Sequence, residues 1–520
     1  MPDASLYLLE IGAHDGTDLL TLRVSNAPFG GFVTGPSDTP ADSEYISGII
    51  DPGYVARHLF AEGRTLGQSE VGYGDIVISN ASGEFDDWLD YGFDGRSVVL
   101  KRLGSPRMPF SSATTLLRAT MTRLDSSDAY RELRLRLYDR RLELDRPLQG
   151  NRYAGTTLSA GATAEGTADM KGRVKPLVYG FAENVPAVCA NPFNLIYQVN
   201  DGPVSGIVVY DGGVPLTYAG DFVSLAALVG ATVAAGKYAT CQALGYFRLG
   251  GSPAKVVTAD VTEGSSSALR RAGAIATRIM TKMGLTGSSN INAASFSALS
   301  TAAPYELGIY VNDERAALAV LGDVLGSVGG WIVPSTAGVF EAGRLTAPGS
   351  PAFELGKFDI HTDGDGSFGL VANPDTEGGL PAFRVNLTYR RAWAVQDDAD
   401  LGACVSVERR GFLALDRRTV KSDDTALLTK HPLAAELTIE TLLVSAADAA
   451  TEAARRLALY GTRRDVVKLS ARRGDAVNAV LNATGTLRLN RLGYESGRNM
   501  VVIGRREDPR NERVDLTLWG

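Results

Sequence analysis

The chain is poor in the residues from which disulfide frameworks and most zinc sites are built. Among 520 residues it has only 3 cysteines and 4 histidines, and they are widely scattered. Neither a disulfide pattern nor a zinc-ligand spacing results, so we interpret the cysteines as small apolar side chains. We therefore predict no metal site and no cofactor. The residues concerned are Cys189, Cys241, Cys404, His14, His58, His361 and His431.

Long apolar runs are also missing. No stretch approaches the ~20 apolar residues that a membrane-spanning helix needs. Residues 1–5, Met-Pro-Asp-Ala-Ser, lack the basic region and apolar core of a secretory signal. We therefore expect no membrane segment and synthesis in the cytoplasm.

The overall composition is that of a multidomain globular protein. A chain of 520 residues is too long for one hydrophobic core and predicts two to four domains. Its 58 glycines and its aromatic content of only 8% favour a turn-rich β protein over a helical one.

Charge is unevenly distributed along the chain. The formal net charge is −7, but residues 384–520 hold 23 Lys and Arg against 18 Asp and Glu, a balance of +5, which leaves −12 for residues 1–383. The basic end is either a solvated face or an electrostatic match to an acidic partner ring. Specific duplex-DNA binding is not expected, because it requires a concentrated basic stripe.

The C-terminal region gives the clearest secondary-structure signals. Ser445 followed by Asp448 resembles a capping box, and the Ala-rich run after it ends at Arg455-Arg456 and Gly461, which we interpret as the end of a helix over 446–460. Strand patterns surround this helix. We predict one helix on a mostly antiparallel β-layer, with strands at 384–389, 437–444, 466–469, 486–489, 500–505 and 513–519.

Near the N-terminus, 6–11 and 19–24 have the pattern of two strands joined by a turn at His14-Asp15-Gly16. His14 with Asp15 and Asp18 could form a trio of metal ligands. Turn chemistry explains the same residues, and we prefer that interpretation.

Three acids lie close together in the next segment. A strand at 74–79, an Asn-containing turn and a strand at 96–101 enclose Asp86, Asp87 and Asp90. Glycoside hydrolysis requires two carboxyls across a cleft, about 5 Å or 6.5–9.5 Å apart and in distinct environments. Three acids within five residues more often form a solvated edge, so we predict no catalytic residue here.

Within the segment Arg131–Asp145, leucine and arginine alternate over residues 133–137. Leu133, Leu135 and Leu137 should face a core, whereas Arg134 and Arg136 should face either solvent or a neighbouring subunit. We expect the alternation to resume at residues 142 and 144.

The middle of the chain changes character twice. A Gly-, Ala- and Thr-rich connector covers 147–175, and short strands with Asp-Gly turns follow over 177–260. Helical spacing over 265–330 predicts one helix that ends at Gly284 and another that starts near Asn312.

Asp363 and Asp365 could bind calcium, but a complete EF-hand pattern is missing, and an acidic turn is the simpler interpretation.

Several short segments resemble the baseplate or tail-tip hub proteins of long-tailed bacteriophages and phage-like particles. The C-terminal matches are Leu-Ala-Leu-Tyr-Gly-Thr-Arg-Arg at 457–464, Val-Val-Ile-Gly-Arg at 501–505 and Leu-Thr-Leu-Trp-Gly at 516–520. The strand, turn and strand of 74–101 are similar to the start of these proteins. The segments 144–149, 153–155, 175–180, 195–202 and 208–211 resemble their junction and second domain.

The resemblance implies two tail-tube-like β-barrel domains around a mixed middle domain with a small helical unit. We expect a barrel at 1–175, an α+β domain at 176–355 with the helical unit at 265–330, and a barrel at 356–520 with one helix at 446–460. The sequence shows no internal repeat, so the number of barrels rests on the resemblance alone.

The resemblance also implies a function without catalysis. We expect a homotrimeric hub at the distal end of the virion tail that docks on the hexameric tube and forms part of the DNA-ejection channel. Its partners would be the tail tube protein, a distal tail protein, a tip fibre or other baseplate proteins, the tape measure protein and transiting DNA without specific binding. The alternatives are a carbohydrate- or cell-wall-degrading tail enzyme and a receptor-binding adhesin.

Overall fold

A computed structural model describes residues 5–28, 30–61, 63–361, 368–375 and 379–520. This part of the chain is mainly β with α+β regions, as the sequence predicts. Two closed barrels are not confirmed, because none of the sheets in the described ranges closes on itself.

The N-terminal region is built from strands around one large sheet. The sheet order is β3-β4-β2-β1-β9-β10-β11-β8-β5. The strands are β1 (Leu6–His14), β2 (Leu19–Ser25), β3 (Phe32–Val33), β4 (Glu44–Ser47), β5 (Ile49–Asp51), β6 (Val55–His58), β7 (Glu70–Tyr73), β8 (Ile76–Ser79), β9 (Ser97–Leu103), β10 (Thr114–Ser127) and β11 (Glu132–Tyr138).

The middle region has two five-stranded sheets, a hairpin and a helical unit. The sheet orders are β16-β15-β20-β12-β21 and β13-β14-β19-β18-β17. The strands are β12 (Leu177–Pro186), β13 (Val188–Asn191), β14 (Ile196–Gln198), β15 (Gly206–Asp211), β16 (Val214–Pro215), β17 (Thr217–Asp221), β18 (Lys237–Cys241), β19 (Tyr246–Leu249), β20 (Val257–Thr262), β21 (Gly308–Val311), β22 (Gly330–Pro334) and β23 (Phe340–Arg344). The helices are α1 (Leu225–Gly230), α2 (Ala272–Lys282), α3 (Ala293–Ala302) and α4 (Ala317–Gly326).

The helical unit differs in detail from the sequence prediction. The two expected helices correspond to α2 and α4, but α3 lies between them and was not predicted. Its sequence, rich in Ala and Ser, has a weak amphipathic pattern, which explains the omission. Helix α3 packs against α2 and β23, and its Phe296 and Leu299 are buried.

The C-terminal region contains the second large sheet and a three-stranded sheet of order β27-β26-β28. The large sheet has the order β24-β30-β31-β32-β29-β25. The strands are β24 (Phe353–Gly356), β25 (Phe368–Val371), β26 (Ala382–Tyr389), β27 (Arg418–Asp423), β28 (Ala435–Ile439), β29 (Val466–Arg472), β30 (Thr484–Arg488), β31 (Arg498–Asp508) and β32 (Arg513–Trp519). The helices are α5 (Val407–Leu413), α6 (Leu427–Lys430) and α7 (Ala446–Tyr460).

Helix α7 has the predicted bounds, and the Ser445 hydroxyl accepts a hydrogen bond from the Asp448 amide at its start. The short helices α5 and α6 were not predicted. Residues 440–444, expected to continue a strand, lie outside β28.

The N-terminal and C-terminal regions are joined by a hairpin. Strands β6 and β7 leave the first sheet, and β6 pairs antiparallel with β31, with His58 opposite Gly504 and Val55 opposite Glu507. The Leu59 amide extends this pairing by donating to the Ile503 carbonyl at 2.8 Å.

The two large sheets contain the same four-stranded unit. In the first sheet the neighbours are β8-β11-β10-β9, and in the second they are β29-β32-β31-β30. The four strands occur in the same chain order in both regions, and every pairing within each unit is antiparallel. The structure therefore contains a repeat that the sequence does not show.

The equivalence extends to individual residues. The Met121 carbonyl accepts a hydrogen bond from the Gly95 amide at 2.9 Å, and the Val502 carbonyl accepts one from the Asn482 amide at 2.8 Å. Gly95 and Asn482 both have positive φ, +73° and +65°. Each long strand shifts its register directly afterwards, after Met121 in β10 and after Val502 in β31.

Candidate interaction sites

The His14 trio forms a turn. The Asp15 carboxylate accepts hydrogen bonds from the Thr17 and Asp18 amides, both at 2.7 Å, and His14 Nδ1 accepts from the Gly16 amide at 2.9 Å. The bonds from Asp18 and Thr17 lower the pKa of Asp15. The His14 and Asp15 side chains therefore hold the turn, and Asp18 contributes its backbone amide, as turn chemistry predicts.

The three neighbouring acids lie on the solvent side of a short 3₁₀ helix, Asp86–Asp90. All three are exposed, whereas Phe85 and Trp88 are buried with their rings 4.4 Å apart. Asp86 accepts from the Asn80 side-chain amide at 2.7 Å and so stabilises the turn. This placement is that of a solvated edge.

The dispersed histidines, cysteines and acids are the next candidates for a site, as metal ligands. Within the described ranges, no group of three or more His, Cys, Asp and Glu side chains could hold an ion. Cys189, Cys241 and Cys404 are free thiols. Asp363 and Asp365 lie outside the described residues.

In strand β11, the leucines face the core and the arginines face the other side, as predicted. Leu133 and Leu135 are fully buried, and Arg136 binds Asp125 at 2.8 Å and also contacts Asp75. Arg134 binds Glu132 at 3.1 Å. The arginines are therefore engaged within the chain. Residues 140–144 form a 3₁₀ helix, so the predicted continuation of the alternation was wrong.

The most deeply buried charge in the C-terminal region is Glu452 of α7. Its carboxylate binds Arg456 at 2.7 Å and Arg455 at 2.8 Å, and it also contacts Arg344 of β23. Glu452 is fully buried, and Arg456 is 1% exposed. Burial raises the pKa of Glu452, but Arg455, Arg456 and Arg344 together outweigh burial and lower it below the ordinary value.

The arginines around Glu452 also bind the ends of two other helices. Arg344 donates to the Ala302 carbonyl at 2.7 Å, at the C-terminus of α3. Arg456 donates to the Gly326 carbonyl at 2.7 Å, at the C-terminus of α4. Helix C-termini expose unpaired carbonyls that favour cations, so these positive charges are stabilised although there is only one carboxylate. The cluster joins α7 to the middle region.

Sequence reasoning missed this cluster because it interpreted Arg455 and Arg456 as stop signals of α7. Neither residue lies in the last turn of the helix. The available signal was Glu452 at three and four residues before them, a spacing at which side chains contact each other on a helix.

A second junction lies beside the β6–β31 pairing. The Arg506 guanidinium stacks on the Tyr54 ring at 4.0 Å from its centroid. Both residues line two adjoining grooves of about 400 and 480 Å³. The segment that follows β6 also contacts α7: the Tyr460 hydroxyl donates to the Thr65 carbonyl at 3.2 Å, and Asp375 accepts from the Thr65 hydroxyl at 3.0 Å.

Comparisons with known proteins gave matches only among solved structures. No protein-family model and no curated protein matched the chain. In the described part of the chain, none of the helices combines the length and the apolarity needed to cross a bilayer.

The similar structures are proteins of phage tails and phage-like particles. A chain of the native gene transfer agent virion is 14% identical, covers 67% of this chain and 84% of its own length, and has a TM-score of 0.43. A tail protein from Neisseria meningitidis MC58 is 10% identical, with coverage of 99% and 97% and a TM-score of 0.40. The 43 kDa tail protein of prophage MuSo2 from Shewanella oneidensis is 9% identical, with coverage of 99% and 98% and a TM-score of 0.41.

Proposed function

We propose that this protein is a structural component of a phage-type virion tail, the trimeric central hub of the baseplate or tail tip. The repeated four-stranded unit carries this proposal. Two equivalent units per chain become six in a trimer, the number needed to match a hexameric tail tube with closed symmetry.

The barrel assignment of the N-terminal region is part of the proposal. Only Gly48 separates β4 from β5, the second and the last strands in the sheet order. The Gly48 amide donates to the Ser25 carbonyl and its own carbonyl accepts from the Ser79 amide, both at 2.8 Å. The segment β4–β5 thus links β2 to β8, which lie towards opposite ends of the sheet order, and this supports a barrel-like unit within 1–175.

The remaining assignments follow the expected hub. We assign 176–355 to a middle domain and 356–520 to a second tube-like unit. The hub would sit at the distal tail end, close the tube and form part of the ejection channel. Its neighbours would be the tube protein, a distal tail protein and a tip fibre or other baseplate protein, with the tape measure protein and DNA passing through.

We propose no enzymatic role. A cell-wall hydrolase would need a paired acid or an activated group in a cleft. The exposed turn that carries Asp86 and Asp87 favours a structural role for both. Among the residues that the structure describes, no specific feature supports the hydrolase or the adhesin alternative.

Imaging of the tail tests the proposal directly. Cryo-EM of particles that carry a tag on this chain should place three copies around the tail axis at its distal end. Density for the tag elsewhere in the particle would refute the hub assignment. Cleavage of peptidoglycan by the purified chain, lost in Asp86→Asn or Asp87→Asn, would instead favour the hydrolase.

A further inference from the structure

Strand β9 pairs with one edge of β10 from Thr114 to Thr120, the first half of the strand. Beyond Met121, β10 pairs with β11 on one side, but no strand of the described residues pairs with its other side. Of the four residues from Arg123 to Ser126, none is buried. The Arg123 side chain is 70% exposed.

The equivalent edge in the second sheet is covered. With Met121 matched to Val502, the segment Arg123–Ser126 corresponds to Gly504–Glu507 of β31. That segment pairs with β6, and three of its four residues are buried. The strand that covers it comes from the other large unit of the same chain, and not from the sheet that contains β31.

The origin of β6 indicates what covers the edge of β10. The hairpin β6–β7 lies in an insert between β5 and β8. Strands β5 and β8 pair with each other, and in the second sheet β25 and β29 form the equivalent pair. The equivalent insert of the second unit therefore lies between β25 and β29. Its described strands, β26, β27 and β28, pair only among themselves.

We propose that the edge of β10 from Thr122 to Ser126 accepts a strand from a second copy of this chain. The donor is the part of the insert at 379–465. This inference rests on the proposed ring function, in which the N-terminal and C-terminal four-stranded units alternate around the ring. Within one chain, the insert of the N-terminal unit pairs with the C-terminal unit. In the same way, the insert of the C-terminal unit would pair with the N-terminal unit of the next chain.

The backbone geometry specifies the contact. Ile503 accepts a hydrogen bond from the Leu59 amide, so by strand alternation the Glu507 amide also faces β6. The corresponding Ser126 amide then faces the open side of β10. The incoming strand would run antiparallel to β10 and donate a backbone amide to the Thr122 carbonyl. Arg123 and Asp125 bind each other at 2.9 Å, and their charges discourage indiscriminate pairing at this edge.

Cross-linking of the full-length chain tests this contact. Ser126→Cys in a Cys404→Ala background, labelled with benzophenone maleimide, should link to peptides from 379–465 of another copy. A mixture of isotope-labelled and unlabelled chains identifies links between copies. Ser159→Cys, in the exposed connector, is the matched control and should give few such links.

A proline variant supplies the second measurement. Proline is tolerated at an edge where the lost amide faces outward, so Ser126→Pro should fold normally by circular dichroism. It should weaken trimer association at least about tenfold, because an intermolecular hydrogen bond and the strand register are lost. Ser159→Pro should leave association unchanged.

The outcomes separate this inference from the hub function. A trimer at the distal tail end in which Ser126 links only within its own chain, or to another tail protein, overturns the strand contact and leaves the hub function standing. A folded Ser126→Pro variant with unchanged trimer association also overturns it. A chain that is monomeric in the particle, or absent from the tail end, overturns both.

Discussion

At the residue scale, Glu452 shows how one buried carboxylate can join three elements. Its carboxylate pairs with Arg344, Arg455 and Arg456. Two of these arginines also bind backbone carbonyls at helix C-termini: Arg344 at the end of α3 and Arg456 at the end of α4. Removing the carboxylate would leave buried guanidinium groups that still repel each other. A buried ion pair contributes little compared with an apolar replacement, but its disruption is costly.

Glu452→Gln should therefore destabilise the protein by about 3–5 kcal/mol, as expected when one partner of a buried charge pair is removed. Urea unfolding at neutral pH measures this change. Glu436→Gln is the matched control, because Glu436 pairs with Arg384 at the surface and is 44% exposed. That variant should change stability by less than about 1 kcal/mol. Equal effects of the two substitutions would contradict the role of Glu452.

The pH dependence of the same variant follows from the lowered pKa of Glu452. A carboxyl whose pKa is lower in the folded state stabilises the fold above its unfolded pKa, and this contribution disappears as the pH falls. The stability difference between wild type and Glu452→Gln should be constant near neutrality and should shrink below about pH 4.5, the ordinary value. A difference that grows on acidification would contradict this assignment.

At the element scale, the β6–β31 pairing depends on a residue without a side chain. A Cβ at Gly504 would lie 2.3 Å from Nδ1 of His58. Gly504→Ala should therefore displace β6 and cost about 1–3 kcal/mol, the range for an overpacked site. Hydrogen exchange should become faster at Val55–His58 and stay at its wild-type rate in β10 and β11.

Gly72→Ala is the control within the same hairpin. A Cβ at Gly72 would have only an ordinary contact, 3.9 Å from the Ala56 Cβ. Its exchange should match that of the wild type. If Gly504→Ala also leaves exchange in β6 unchanged, the close packing of His58 on β31 does not hold the two sheets together.

Elements with strong local patterns could be predicted from the sequence, whereas the connections between them could not. The alternation around Leu133 and Leu135 and the cap at Ser445 are local signals, and both gave the correct element. The docking of β6 onto β31 joins residues more than 400 positions apart, and no periodicity encodes it. The repeat could not be predicted for a similar reason. The two units share strand order and register, but equivalent residues such as Met121 and Val502 have different side chains.

Part of the candidate site could be predicted in the same way. Turn chemistry correctly placed Asp15 and Asp18, and the acid-rich edge at Asp86 and Asp87 is solvated as expected. The buried cluster at Glu452 was missed because its partners include Arg344, which is more than 100 residues away. The open strand edge at Thr122–Ser126 could not be predicted either. Whether an edge is open depends on which strands pair with it in the fold, and the pattern of a single sequence does not show this.

At the scale of the whole molecule, the distribution of charge bears on DNA passage. The net charge is −7, although the basic region at 384–520 carries a balance of +5. Many of its arginines are neutralised within the chain. Ion pairs with neighbouring carboxylates engage Arg384, Arg390, Arg391, Arg410, Arg417, Arg473, Arg488, Arg498, Arg505 and Arg513. If the proposed hub function holds, such a chain should let DNA pass without retaining it.

The purified chain should accordingly show no binding to duplex DNA at up to about 10 μM protein in physiological salt, measured by fluorescence anisotropy. Lowering the salt should not produce tight binding, because electrostatic repulsion by the acidic chain also strengthens as screening decreases. Affinity in the submicromolar range with a steep inverse dependence on salt would require several arginines facing the DNA together. That result would be incompatible with a channel that DNA crosses freely, even if the chain lies at the tail end.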